Sequence, residues 1–325
     1  MATAAVFFAH KLTRMSTRII TDGSTDRVID APRVVLPANE RLFEERASRF
    51  EALAARHVMG DFLRLMGAIA RGQQAALGAR AAGALAQSAL DASRQYGMPP
   101  LAAQSHARGA VWRADLRDIL AAAAATHDAA ARTAGLEELT LEAIADRVLL
   151  GATLDDDAAH VPFVGAALQV YFTRMAAQLN AADVGSCDVA TVCPVCASRP
   201  VASVIRIGGV QANLRYLICS LCTTEWNMVR VKCSACESDK GVGYLALEAA
   251  ENQTDGADRG AARGAATSAE ICDECHSYLK VFAQDKDPQL DAVADDLASL
   301  ALDVLVDEQG YSRSGPNLLF HPGSG

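Results

Sequence analysis

The feature that most constrains this chain is a set of four Cys-x-x-Cys pairs confined to residues 193–275. The chain has 325 residues and nine cysteines, and none of them precedes Cys187. Random placement would give roughly 0.25 such pairs in a chain of this composition, so the pattern is not accidental. The pairs are Cys193/Cys196, Cys219/Cys222, Cys233/Cys236 and Cys272/Cys275.

Metal binding is the favoured interpretation of these pairs. A two-residue gap lets both thiolates of a pair face one ion from a tight turn, and two pairs complete a tetrahedral site. We expect no signal peptide, because Lys11 and Arg14 follow the short apolar run at residues 2–9. A reducing, cytoplasmic setting then disfavours disulfides. Two four-cysteine sites follow, and four sulfur ligands suit zinc and iron alike.

Several alternatives remain open for these cysteines. Sequential pairing, first with second and third with fourth, is favoured over an interleaved arrangement. The sites are either purely structural or iron sites with a redox or sensing role. Thioredoxin-like dithiols are disfavoured, because that motif is normally single. Cys187 is expected to be a plain thiol, with a reactive role as the alternative, and His276 could compete with Cys275 as a ligand.

The segments between the cysteines predict two small β modules. In the first module, residues 187–232, strands are predicted at 201–207 and 214–218 around Gly208-Gly209, and at 224–231. Trp226 is expected to fill its small core. In the second module, residues 233–284, strands are predicted at 243–247 and 278–282. Between them we expect a mobile inserted loop, 249–270, because residues 251–268 lack apolar periodicity.

Residues 37–186 form a predicted helical domain. Phe43, Ala47 and Phe50 recur at helical spacing, and Asp61 is a predicted N-cap for the next helix. Further helices are expected at 119–131, 139–152 and 162–179. The scattered histidines show no metal-ligand spacing; they are His57, His106, His127 and His160.

The two ends of the chain carry weaker signals. Residues 1–36 are expected to be a partly disordered extension, with translation starting at Met1 or Met15. In residues 285–325 the sequence predicts one long helix followed by a docking tail. Asp287, which precedes Pro288, is the predicted N-cap, and Gly310 is expected to end the helix. Its apolar stripe runs from Leu290 to Val304. Its aspartates are expected to form a solvated face; they are Asp291, Asp295, Asp296, Asp303 and Asp307.

Composition excludes several functional classes. The chain is 51% hydrophobic, which is enough for a substantial core, yet no apolar stretch approaches the ~18 residues of a membrane span. The net charge of −9 disfavours nucleic acid as a partner, and the ribbon at 186–248 carries six basic and five acidic residues. We find no P-loop, HExxH motif or nucleophile elbow, so we expect no enzyme.

The chain resembles the bacterial formate dehydrogenase accessory protein FdhE family. The resemblance is carried by CPVC at 193–196, GVQANLRYLICSLCTTEWNMVRVKCSAC at 209–236, CDEC at 272–275 and EQGYSRSGPN at 308–317. It implies an α+β fold, with an all-helical N-terminal domain, two tandem rubredoxin-like (zinc-ribbon-like) modules of four cysteine ligands each, and a C-terminal helix. It also implies that all eight paired cysteines are metal ligands, with iron favoured over zinc.

The function implied by the resemblance is that of a cytoplasmic assembly factor for respiratory formate dehydrogenase. Its expected partner is the catalytic subunit of that enzyme, contacted through the helical region and residues 293–317. A redox-active iron protein acting on this client is the alternative. One departure stands out: rubredoxin-type turns often place glycine after the second cysteine, where φ is positive. The residues here are Ala197, Thr223, Glu237 and His276.

Overall fold

In a computed structural model, most of the described helices lie in the first half of the chain and most of the strands in the second half. The structure describes residues 12–15, 31–38, 40–124, 127–247 and 266–321. The helices are α1 (Leu42–Ala54), α2 (Gly60–Ala79), α3 (Gln87–Tyr96), α4 (Val111–Ala123), α5 (Asp128–Ala134), α6 (Glu138–Leu150), α7 (Val161–Ala176), α8 (Ala292–Ala298) and α9 (Leu300–Asp307). The strands are β1 (Leu12–Met15), β2 (Val34–Val35), β3 (Pro200–Ile205), β4 (Arg215–Cys219), β5 (Glu225–Asn227), β6 (Val242–Leu247), β7 (Thr267–Cys272), β8 (Ser277–Ala283) and β9 (Ser312–Arg313). This is the predicted α+β class.

The helical domain packs around α7. Every residue of α7 except Pro162 is buried, as expected for a helix that is apolar on all sides, and that proline stands in its first turn. Phe43 and Phe50 of α1 are fully buried, as their spacing predicts. The predicted cap at Asp61 is wrong: α2 starts at Gly60, and the Asp61 carboxylate pairs with Arg64 instead. Every helix in the described ranges is too short or too polar to cross a bilayer.

One continuous sheet joins the two tandem modules that the sequence predicts. The strand order is β1-β6-β7-β8-β3-β4-β5-β2, and β9 also pairs with β8. Strand β3 of the first module pairs with β8 of the second in parallel, with Ser203 opposite Val281. Strands β1 and β2, from the predicted N-terminal extension 1–36, pair with β6 and β5 at opposite ends of the sheet. These parts of the extension are therefore ordered strands.

Several element boundaries differ from the prediction, such as β5, which covers only Glu225–Asn227 of the predicted 224–231. The expected loop 249–270 ends in a strand, because residues 267–270 belong to β7 and pair with β6 and β8. The rest of that loop, to residue 265, lies outside the described residues. The alanine-rich helix expected at 119–131 is divided between α4 and α5, and α3 was not predicted.

The C-terminal helix is two helices. The carboxylate of Asp291 accepts hydrogen bonds from the amides of Val293 and Ala294 at 3.0 and 2.8 Å, so Asp291 and not Asp287 is the cap. The helix breaks at Ser299, whose hydroxyl bonds the carbonyl of Asp295 at 2.7 Å. Val304 at the end of the predicted apolar stripe is 57% exposed.

The prediction of a solvated face is wrong for Asp295 and Asp296, whereas Asp307 is exposed as predicted. Asp296 is fully buried; its carboxylate lies 3.2 Å from Lys280 Nζ and 2.6 Å from Arg313 Nη2. Asp295 is 9% exposed and pairs with Arg49 of α1. These carboxylates therefore join α8 to the sheet and to the helical domain.

Candidate metal centres

The eight paired cysteines form two clusters of four sulfurs. Within each cluster all Sγ atoms lie within 4.8 Å of one another. Site 1 consists of Cys193, Cys196, Cys219 and Cys222, and site 2 of Cys233, Cys236, Cys272 and Cys275. The pairing is therefore sequential, which is the favoured order, and not interleaved.

The sulfur positions fit a tetrahedral ion. Sulfurs bound to a metal at about 2.3 Å in a tetrahedron lie about 3.8 Å from each other. In site 1, Cys193 and Cys222 are 3.6 Å apart, and Cys196 and Cys219 are 3.3 Å apart. The corresponding Sγ pairs in site 2 are 3.7 and 3.8 Å apart. These distances are too long for disulfides, and the four-sulfur donor set suits zinc or a single iron.

Each turn that carries a cysteine pair ends in a left-handed residue. Ala197, Thr223, Glu237 and His276 have φ angles of 62, 58, 61 and 52°. This conformation lets the amide of Ala197 bond the carbonyl of Cys193 at 2.8 Å, and the amides of Glu237 and His276 make equivalent bonds. The turn geometry is therefore the rubredoxin type, with non-glycine residues held in a conformation that costs about 1–2 kcal/mol each.

Replacing Ala197 with glycine is expected to stabilise the protein by about 0.5–1 kcal/mol. Glycine relieves the left-handed strain, and its greater freedom in the unfolded chain offsets only part of that gain. Chemical denaturation of the metal-loaded protein measures the change. The matched control is Ala301→Gly in α9, which should destabilise because its backbone is helical. A destabilised Ala197→Gly variant would contradict the strain argument.

Site 1 is enclosed by the helical domain, which the sequence did not reveal. All four of its cysteines are fully buried. The carbonyls of Val195 and Cys196 accept hydrogen bonds from the amides of Leu101 and Ala103, both at 2.9 Å. On the opposite turn, Gln169 of α7 donates to the carbonyl of Ser220 at 2.8 Å. Both turns of site 1 are thus held by residues of the helical domain, and no sequence motif marks those residues.

Site 2 is more open and lies against the two ends of the chain. Cys236 is exposed and Cys275 is half-buried. Its second turn is held by Asp273, which pairs with Arg14 of β1 at 2.9 Å and accepts a 2.6 Å hydrogen bond from the hydroxyl of Tyr311. That hydroxyl, and then Arg14, hold the pKa of the Asp273 carboxyl below its ordinary value.

The thiols of each site cannot all ionise together. Burial raises the pKa of Cys193 and Cys219 well above the ordinary value, and it raises the pKa of Cys233 in site 2. Burial acts in the same direction on Cys196, but hydrogen bonds from the neighbouring thiols lower its pKa. Four close sulfurs therefore need a cation before all of them can carry charge.

Metal binding is expected to release protons from Cys193, Cys219 and Cys233, because these thiols are protonated at neutral pH without a metal. Their pKa values are raised, so metal affinity falls as the pH decreases and protons compete for the sulfurs. Titrating Zn²⁺ into chelator-treated protein in weak buffer with a pH indicator measures the release. Binding without proton release would contradict the assignment of these thiols as ligands.

The other candidate residues lie outside the two clusters. Cys187 is half-buried and belongs to neither site. His276 stacks near Tyr311, with ring centroids 6.1 Å apart, and is not among the clustered ligand atoms. Of the scattered histidines, His106 lies 3.0 Å from the hydroxyl of Tyr171, and His57 and His160 have hydrogen-bond partners of their own.

Three family models cover most of the chain. The model described as FdhE, N-terminal, matches residues 31–187; FdhE, central domain, matches 192–230; and FdhE, C-terminal domain, matches 231–320. A protein named FdhE homolog from Pseudomonas aeruginosa is 41% identical over 95% of this chain and 99% of its own length. This chain belongs to the FdhE family.

Other FdhE proteins are also similar to this chain over most of its length. A protein of the same name from Klebsiella pneumoniae is 36% identical over 96% of this chain and all of its own length. The crystal structure of the FdhE protein from Pseudomonas aeruginosa superposes with a TM-score of 0.76, at 40% identity, covering 90% of this chain and all of that one. The FdhE fold therefore extends through both four-cysteine clusters.

Proposed function

We propose that this FdhE protein is a cytoplasmic accessory factor in the maturation of respiratory formate dehydrogenase. It binds the catalytic subunit of that enzyme and catalyses no reaction itself. Membership of the FdhE family over the whole chain carries this proposal. The eight clustered cysteines hold two metal ions, and each ion fixes a pair of turns on which the binding surface is built. Coprecipitation with the formate dehydrogenase catalytic subunit tests the proposal, and failure to coprecipitate would contradict it.

The client-binding surface is a cleft of about 1060 Å³ beside site 1. Its walls come from the end of α6, the turns of site 1, and α9 with the tail that follows. These include part of the segment 293–317 that the sequence suggested. Leu150 and Val304 both line the cleft and are 58% and 57% exposed. Apolar side chains exposed in a concave surface are typical of a protein-binding site.

Introducing a charged residue into the cleft is expected to weaken client binding. Leu150→Asp and Val304→Asp place a carboxylate where an apolar client side chain would pack, so each should weaken binding by roughly tenfold or more. Coprecipitation at graded client concentrations measures the effect. The matched control is Leu139→Asp, which lies on the same helix α6, is 82% exposed and does not line the cleft. Equal binding by all three variants would exclude the cleft.

A redox role is the second candidate, favoured by the exposure of site 2. Cys236 is exposed and Cys275 is half-buried, so an electron partner could approach closely. If iron occupies the site, the four cysteines would hold it and the iron would supply one-electron chemistry toward the client. Protein purified without oxygen would then be coloured when oxidised and bleach reversibly on reduction. Colourless protein with two zinc ions and full accessory activity would exclude this role.

A further inference from the structure

A buried ion pair lies between the two metal modules. Arg215 of β4 and Glu270 of β7 both have side chains that are 1% exposed. Arg215 Nη1 lies 2.7 Å from one carboxylate oxygen, and Nη2 donates to the other at 2.9 Å, so the contact is bidentate. Strands β4 and β7 are not neighbours in the sheet, because β3 and β8 lie between them. The pair therefore bridges the first module and the second.

Both members of the pair also hold the first turn of site 2. Arg215 Nη1 donates to the carbonyl of Lys232 at 2.9 Å, immediately before Cys233. Glu270 accepts hydrogen bonds from the amide and the hydroxyl of Ser234, at 3.2 and 3.1 Å. Ser234 is buried inside the turn formed by Cys233 and Cys236. The ion pair thus fixes residues 232–234 from both sides.

We propose that Arg215 and Glu270 are positioning residues for site 2, through which the first module holds the Cys233–Cys236 turn in its metal-binding geometry. Neither residue touches the metal. Groups one layer outside the ligands orient those ligands, and their loss typically weakens metal binding by about 10–100-fold. Strand β4 ends at Cys219, a ligand of site 1. Site 2 therefore reaches full affinity only after the first module has folded.

The test replaces both charges at once, because removing one member alone would leave a buried, unpaired charge. The variant is Arg215→Met with Glu270→Met, in the full chain loaded with its metals. The protein is incubated with increasing chelator and an alkylating reagent, and mass spectrometry reports which cysteines become labelled. We expect the chelator concentration that exposes half of the site 2 thiols to fall by roughly 10–100-fold. The labelling of the site 1 thiols should not change.

Two further variants keep the result interpretable. Ser234→Ala leaves the ion pair intact and removes only the hydroxyl bond to Glu270, so it should weaken site 2 in the same direction and by less. Arg206→Met with Glu225→Met removes another Arg–Glu pair, which lies within the first module and is about one-fifth exposed, and should leave site 2 unchanged. Unaltered site 2 labelling in the Arg215/Glu270 and Ser234 variants, or equal weakening of both sites, would overturn the proposal.

Discussion

Replacing Cys193 and Cys196 with serine is expected to prevent stable folding of the whole chain, not only of the first module. A structural zinc site contributes about 10–16 kcal/mol of apparent binding free energy in small modules, which is comparable to the total stability of a domain, about 5–15 kcal/mol. The site 1 cysteines belong to the same buried core as α2, α4 and α7. Far-ultraviolet circular dichroism and thermal unfolding would show the loss of helix.

The matched variant for this experiment is Cys233→Ser with Cys236→Ser. It removes the corresponding pair from site 2, which adjoins a smaller apolar cluster centred on Leu245, Ile271 and Tyr278. We expect it to lose one metal per chain and to retain a cooperatively unfolding helical domain. A Cys193/Cys196 variant that keeps both metals and normal thermal stability would refute the assignment of site 1.

Replacing Asp296 with alanine is expected to reduce the free energy of unfolding by about 3–5 kcal/mol. The change removes one member of a buried ionic cluster. Lys280, which is also fully buried, and Arg313 then have less negative charge beside them. It also removes the acceptor of a 2.8 Å hydrogen bond from Asn317. Denaturant unfolding of the metal-loaded protein measures the loss.

Asp307→Ala is the control for this result, because Asp307 is an exposed aspartate on the neighbouring helix α9 and should contribute little. Asp296→Asn keeps the shape of the side chain and should fall between the two. If Asp296→Ala were as stable as Asp307→Ala, the cluster would not stabilise the junction of α8 with the sheet.

Features that depend on neighbouring residues could be predicted from the sequence. The Cys-x-x-Cys spacing identifies the eight clustered sulfurs, because each pair is brought together by one tight turn. Helix α1 follows from the spacing of Phe43 and Phe50, and β4 from its apolar run. The strands between the cysteine pairs also follow from apolar runs and turn residues, and the likeness to the FdhE family then adds the proposed client, which spacing alone does not provide.

Features that depend on distant partners could not be predicted. In the sequence, the aspartates of α8 have the pattern of a solvated face. In the structure, Lys280 of β8 and Arg313 of the tail pair with Asp296, and neither residue is part of the sequence pattern of α8. The break at Ser299 is set by a local side-chain bond that competes with the helix. The parallel pairing of β3 with β8 has no local signal, because it joins segments about 78 residues apart.

The placement of β1 and β2 has a consequence for the newly synthesised protein. These two strands, which are made first, cover the β6 and β5 edges at opposite ends of a sheet whose other strands are made last. An uncovered edge offers unpaired backbone groups to any neighbouring chain and is a template for aggregation. The N-terminal segment thus replaces both edges with strands of only four and two residues, which are poor templates for another chain, so a newly made chain is most vulnerable to self-association before these strands pair.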